Sequence, residues 1–382
     1  MSSSFIHPLQ TPDYSYATLL ITNQDKDIML ANGSLNTNIP ILNNPNEYVG
    51  RLQRVSLACD GVPLIIPKIV LGQNDANLLV YKFALVKGTE NQLLPNIGTP
   101  ANVVFTPQSD AFPVPSAGLP PIDKFLAQDL STGYYYVYSY SAFLQMWNTA
   151  INEAVDNYQE HYDDLPDDFV NPEFYYDPSC GIVLKAQTKY FNKNSDADFP
   201  PNNKFTLACN GSLIPLVNGI KTNYITFDIN TPYLFNFYDE VINYDSTNDY
   251  YLQKQQSIND LCYWSSITSF QIITTMPIVY ENIQGSQGTQ SKGTQPSQYS
   301  NVLTDIVIDT SLSPSAYKTL SIYNNNDFFR VFNFTKSTPI NNLNATIQWV
   351  DQYGRTYPLY LTYGTSCSIK FEFIKKSVFY TH

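Results

Sequence analysis

Apolar positions in this chain mostly recur at alternate residues, the period of a strand that buries one face. Tyr48 to Cys59 shows it well: Val49, Leu52, Val55 and Leu57 stand against Gln53, Arg54 and Ser56. Trp264 to Glu281 is dominated by β-branched and aromatic residues, and Pro277 interrupts it where a strand must bend or end. The tract IQWVDQYGRTYPLYLTYGTSCSIKFEFIKK reads as three antiparallel strands, with Asp351-Gln352-Tyr353-Gly354 as the first turn and Gly364 marking the second. Further strands are predicted at 14–22, 77–86, 134–140, 182–188, 205–209, 224–228, 302–309 and 319–323. Pro63 and Pro67 bound an edge or kinked segment around Ile65, and Thr231 to Ile242 fits helix or strand.

Only Ser141 to Tyr158 switches to the helical period. Ala142, Phe143, Met146, Trp147, Ala150, Ile151, Ala154 and Val155 recur at i, i+3, i+4, Ser139 or Ser141 can cap, and the acidic run HYDDLPDDF ends the element. Such a face packs on a sheet or, alternatively, binds a partner. Prolines crowd 92–122 as in a boundary or arm, and GSQGTQSKGTQPSQYS (285–300) predicts a surface loop. Strand tracts at both ends flank a region of different composition. The expected class is therefore all-β: a β-sandwich built from 1–91 and 264–382, with a mixed, mainly β insertion domain at 92–263 that contains the one helix.

A length of 382 residues suffices for one large or two ordinary cores. Only 14% of residues are charged and the net charge is −12, which gives no electrostatic footprint for a phosphate backbone, so no direct nucleic-acid partner is expected. Arg51/Arg54 and Lys375/Lys376 are the only close basic pairs that stand out. Thirty Tyr and 37 Asn on a low-charge background suit lasting protein contacts, although codon bias in an AT-rich genome gives the same enrichment. The five cysteines (59, 180, 209, 262, 367) are scattered without a C-x-x-C, which predicts free thiols from a reducing compartment. The N-terminal residues have no signal-peptide character and no run reaches the ~18 apolar residues of a membrane span. The expectation is a soluble, cytoplasmically made protein whose sequons at Asn32, Asn210, Asn333 and Asn344 stay unmodified.

Catalytic chemistry has little to stand on. The histidines are His7, His161 and His382, and no G-x-S-x-G, H-E-x-x-H, G-x-G-x-x-G or Walker pattern occurs. Carboxylates gather at Asp163, Asp164, Asp167 and Asp168 and again at Asp196 and Asp198, as solvated acidic loops. The sharper readings are a cation loop or a glycosidase-type pair. Asp245-x-Thr247-x-Asp249 opens like a calcium loop, but Tyr250 stands where the turn needs glycine. No catalytic, cofactor-binding or metal residue is assigned, no cofactor is expected, and the chain is expected not to be an enzyme.

Four tracts carry a resemblance: NIPILNNPNEYVGRLQRVSLACDGVPLIIP, TGYYYVYSYSAFLQMWNTAINEA, WSSITSFQIITTMPIVYEN and the C-terminal tract above, with its Trp349-Val350-Asp351 and Pro358-Leu359 spacing. They are similar to the minor capsid proteins of virophages and Polinton-like viruses, in particular virophage penton (vertex) proteins. The resemblance implies a single jelly roll carrying an inserted domain, five copies closing a ring at each icosahedral vertex, and assembly in host cytoplasm. Its implied partners are the chain itself as a homopentamer and the neighbouring major capsid protein. An alternative function is a surface binding module, in which the insertion recognises a host or giant-virus surface or glycans and Tyr134 to Tyr136 stack on sugar faces.

Overall fold

A computed structural model of the chain describes residues 13–24, 29–88, 96–107, 128, 133–179, 181–191, 204–224, 230–235, 237, 241–243, 249–254, 264, 267–278, 283–288, 298–308, 321–324, 330–351 and 354–380. The chain opens with β1 (Tyr14–Thr22), β2 (Met29–Leu30), β3 (Asn32–Asn36) and β4 (Tyr48–Leu57). It continues through β5 (Leu78–Lys87), β6 (Asn96–Ile97) and β7 (Ala101–Val104) to the helix α1 (Tyr140–Tyr162). Then come β8 (Glu173–Asp177), β9 (Gly181–Gln187), β10 (Phe205–Cys209), β11 (Thr222–Tyr224), β12 (Tyr233–Phe235), β13 (Val241–Asn243) and β14 (Asp249–Lys254). The last part holds β15 (Ile267–Thr274), β16 (Ile283–Gly288), β17 (Gln298–Val307), β18 (Ser321–Asn324) and β19 (Val331–Asn333). It closes with β20 (Asn342–Asp351), β21 (Arg355–Pro358), β22 (Tyr360–Leu361), β23 (Ser366–Lys375) and one turn of helix, α2 (Lys376–Phe379).

Two compact units result. The first comprises Met1–Val62, Ile267–Asp309 and Tyr317–His382; the second comprises Pro63–Ser266 with Thr310–Ala316. The division falls at Val62/Pro63 rather than near 91/92. The reason is β5, which lies before 91 but pairs with β10, Phe83 opposite Cys209 through Lys87 opposite Phe205.

In the first unit one sheet runs β1-β23-β4-β18, with β19 continuing along the same edge of β4, and the other contains β3-β20-β15-β17 with β16 and β21 attached. Take β1, β3, β4, β15, β17, β18 with β19, β20 and β23 as strands one to eight. The sheets then read 1-8-3-6 and 2-7-4-5, the strand order of a jelly roll. The second unit interrupts the roll between its third and fourth strands. Leu19 and Ile21 of β1 point inward, close enough to β3 that a Cβ on Gly33 would lie 2.7 Å from Ile21.

Both turns expected in the C-terminal tract form. Gly354 and Gly364 adopt φ of +74° and +76°, backbone conformations that only glycine holds without strain. The buried Asp351 holds the first turn: its carboxylate accepts the Arg355 N–H at 2.9 Å and the Tyr357 O–H at 3.1 Å. The expected three-strand meander is corrected, however. β20 pairs with β21, but β23 crosses to the other sheet and lies between β1 and β4, because a jelly-roll chain changes sheets at its corners. The strand expected from Trp264 is also shorter. β15 starts at Ile267 and ends before Pro277, and Trp264 belongs to the second unit. The segment expected as a loop at 285–300 instead supplies parts of β16 and β17, paired from Ile283 opposite Asn301 to Ser286 opposite Gln298; its residues 289–297 lie outside those described. Ladder hydrogen bonds join backbones, so Gly, Ser and Gln can form them as well as Val.

The second unit has sheets β11-β12-β10-β5-β6, with β7 on β5, and β13-β14-β9-β8. α1 packs on β5, β7 and β8. Of its predicted apolar face, Phe143, Met146, Trp147, Ala150, Ile151, Ala154 and Val155 are buried there and Ala142 is half-buried, so it is not a free face for a partner. Ser139 stands at the N-cap, and Asp163 ends the helix in the left-handed region (φ 48°) with its N–H on the Gln159 carbonyl at 2.8 Å. Trp147 is the hub of an aromatic cluster, with Phe143 and Phe174 centroids each 5.3 Å away, Trp264 at 5.4 Å and Phe83 at 6.0 Å. Tyr134 to Tyr140 is corrected too: Tyr134 and Tyr135 form a turn, Val137 makes a single bridge to Ile65, and Tyr140 starts the helix. The aromatic run that looked like a strand is instead buried almost residue by residue.

Candidate assembly surface

The outer face of the β1-β23-β4 sheet gathers the most distinctive surface chemistry of the first unit. Strand alternation turns Tyr14, Tyr16 and Leu20 outward, the last two 51% and 64% exposed. Register then fixes two cross-strand rows: Tyr16–Glu372–Arg51 and Thr18–Lys370–Arg54. In the first row Glu372 is only 3% exposed although its strand position faces away from the core. Arg51 Nε lies 2.5 Å from it, and the Tyr16 O–H donates to it at 3.1 Å. The Lys370 ammonium sits 4.9 Å from the Tyr16 ring centroid, a cation–π distance. Desolvation, then the hydrogen bond and negative charge of Glu372, push the Tyr16 phenol above its ordinary pKa. The second row sets Arg54 and Lys370 directly opposite one another; neither makes an ion pair among the described residues. Local sequence showed only the Arg51/Arg54 pair. Its complement lies more than three hundred positions away, at a distance no spacing rule reaches.

The residues singled out for chemistry are placed otherwise. His161 is exposed on the last turn of α1, 4.7 Å from the Tyr162 ring. The acidic run does not converge on a facing pair. Asp163 accepts from Gln159 Nε2 at 2.8 Å, Asp164 pairs with Lys87 at 2.6 Å, and Asp168 pairs with Lys189 at 2.6 Å and accepts from Tyr190. Hydrogen bonds from Lys189 and Tyr190 hold the Asp168 carboxyl below its usual range. Among the described residues no three His, Cys, Asp or Glu side chains gather as metal ligands; Asp196, Asp198, Asp245, His7 and His382 lie outside them. Tyr134, Tyr135 and Tyr136 are interior, at most 5% exposed, which removes them as a sugar-stacking platform. Two sequon asparagines serve as clamps. Asn210 donates to the Val80 carbonyl at 2.7 Å and accepts the Lys82 N–H at 3.1 Å, and Asn344 accepts the Thr275 N–H at 2.8 Å. No helix among the described residues is long and apolar enough to cross a membrane.

Cys59, Cys209 and Cys367 are buried thiols that form no disulfide among the described residues; Cys180 and Cys262 lie outside them. Burial raises both Cys209 and Cys367, the latter to about 11 although the Ala58 N–H at 3.4 Å pulls it back. A thiol that ionises less readily folded than unfolded stabilises the fold fully below its unfolded pKa of ~8.5 and loses that contribution as pH rises toward the folded value. Stability is therefore expected to fall between about pH 8.5 and 11. Equilibrium urea unfolding against pH measures it: Cys367→Ser flattens the decline in that window, and an unchanged slope rejects the assignment.

A family model described as Sputnik minor capsid protein V18/19 matches residues 16–375. Among curated relatives, an uncharacterized protein V18 of the Sputnik virophage is 30% identical over 40% of this chain and 88% of its own length. The structural protein V19 of the same virophage is 25% identical over 54% of this chain and 94% of its length. The whole fold recurs in a chain of the Sputnik virophage structure solved by cryo-electron microscopy, with TM-score 0.73, 24% identity and coverage of 96% of this chain and 99% of that one. It recurs again in the mavirus penton protein, with TM-score 0.57, 15% identity and coverage of 95% and 99%. The relatives named by role are structural capsid proteins rather than enzymes. The chain belongs to the Sputnik minor capsid protein V18/19 family and has a structural role in a capsid.

Proposed function

We propose that the chain is a penton: five copies close a ring through their jelly rolls and occupy the five-fold vertices of a small icosahedral double-stranded DNA virus, against a neighbouring major capsid protein. The observation that carries this reading is the match in fold to a penton protein over 95% of this chain and 99% of that one, both units included. A ring of identical copies uses a heterologous contact, two different surfaces of each copy meeting head to tail. We assign the second unit as a domain inserted in the jelly roll and displayed with it, the whole assembling in host cytoplasm. The alternative, a host- or giant-virus-binding role for that unit, has lost the tyrosines nominated for it.

Native mass spectrometry with negative-stain class averages tests the reading. The expected species is a closed five-membered ring, formed by the chain alone or on addition of the major capsid protein. A trimer or dimer, or a monomer under both conditions, is the result against it.

A further inference from the structure

We propose that the free edge of β1, together with the adjoining row of Arg54 and Lys370, is a contact surface for a second copy of this chain. This rests on the penton reading above and deepens it by naming one of the two surfaces that meet.

The first support is the edge itself. A terminal strand offers unpaired backbone groups to any extended segment, and soluble proteins blunt such edges with charge, proline, bulges or brevity. The other terminal strands follow that rule. β18 and β19 span four and three residues, β6 two, β11 and β13 three each and β3 five, and β8 carries Glu173 and Asp177. β1 does none of this. Its nine residues, YSYATLLIT, hold no charge, proline or glycine, and its register with β23 runs without a bulge. Among the described residues its outer edge pairs with nothing.

The second support is charge. Like charges directly opposite on neighbouring strands repel. Arg54 and Lys370 stand so, and the one carboxylate in the adjacent row is already taken by Arg51. This is a cationic spot on a chain with 33 acidic against 21 basic side chains. Each copy thus carries a surplus of carboxylate that its own bases cannot neutralise, and a neighbouring copy is the complementary surface. Nucleic acid fits less well. Two cations would give a salt slope of only about −2, far below that of phosphate-binding proteins. The flanking Tyr16 and Leu20 and the open strand edge suit a polypeptide.

The test compares wild type with R54E and L20K by native mass spectrometry across protein concentration, alongside thermal unfolding. R54E replaces a repulsive cross-strand pair with an attractive one, so the monomer should melt no lower than wild type, while the concentration needed for assembly rises at least about tenfold. L20K installs the charge that protected edges carry and should weaken assembly likewise without lowering the melting temperature. Rings that form equally well in all three proteins overturn the inference and leave the penton reading standing. A wild-type chain that stays monomeric both alone and with the major capsid protein overturns both. Duplex DNA binding by wild type that R54E abolishes, with assembly unchanged, reassigns the face to phosphate.

Discussion

Trp147→Ala is expected to lower the unfolding free energy by about 4 kcal/mol, within the range for emptying a fully packed aromatic site. Such a loss is a large part of the whole stability of an ordinary domain. Trp147 is 0% exposed and its ring touches Phe83, Phe143, Phe174 and Trp264, which come from a strand of each sheet of the second unit, the helix and the segment just before the chain returns to the jelly roll. None of these can collapse into the void without leaving its own contacts. Trp147→Phe should be much milder than its loss of volume suggests. The Trp147 indole N–H finds no acceptor among the described residues, so phenylalanine removes a buried unsatisfied donor along with the extra ring. Trp264 offers the contrast: its N–H donates to the Leu216 carbonyl at 2.7 Å, and Trp264→Phe abandons that bond. Urea unfolding of the three variants checks the ordering. Equal losses in both Phe variants would mean that the unsatisfied donor carries no weight.

The second large effect is expected from a single methyl group. Gly61→Ala in the first unit should cost about 3 kcal/mol, at the upper end for overpacking. Gly61 follows β4 in the turn where the Val62 N–H meets the Cys59 carbonyl at 3.0 Å. Its φ is not in the left-handed region, so alanine tolerates the conformation. Space forbids it. A Cβ would lie 2.2 Å from the Tyr360 carbonyl oxygen and 2.9 Å from its carbon. Those are backbone atoms of β22 and cannot rotate away as a side chain would. The strand must shift, and with it the pairing of β22 to β2. Gly72→Ala is the matched control for surface glycine effects, since nothing lies within 4 Å of its would-be Cβ, although its φ of +78° adds local strain. A melting temperature for Gly61→Ala equal to that of Gly72→Ala would refute the steric account.

What the sequence disclosed follows what is local. β1 matches its predicted span, β4 and β10 were read to within two residues, and α1 begins one residue from the expected start, because period and capping are set within a few positions. Both C-terminal turns were legible because glycine at positive φ leaves a direct mark. What failed depended on partners far along the chain. The destination of β23 is fixed by β1 and β4, and no residue within it records that. Tyr134 to Tyr138 has strand propensity, but burial on all sides replaced a ladder with a turn and one bridge. The polar residues of β16 carry no strand signal, since their order comes from neighbours. For the same reason the cationic row was invisible: Arg54 was noted with Arg51, but Lys370 becomes its neighbour only through sheet register.

That register also constrains how the protein can be made. Tyr16 reaches Glu372 across 356 positions, and β23 separates β1 from β4. While the ribosome is still working through the second unit, the first sheet lacks its middle strand, and Tyr14–Thr22 has no lattice to join. A product cut short between Ala316 and Ser366 contains the whole inserted unit but leaves β1 and β4 flanking a gap. Only a polypeptide read through to β23 completes the sheet that holds β1 in place.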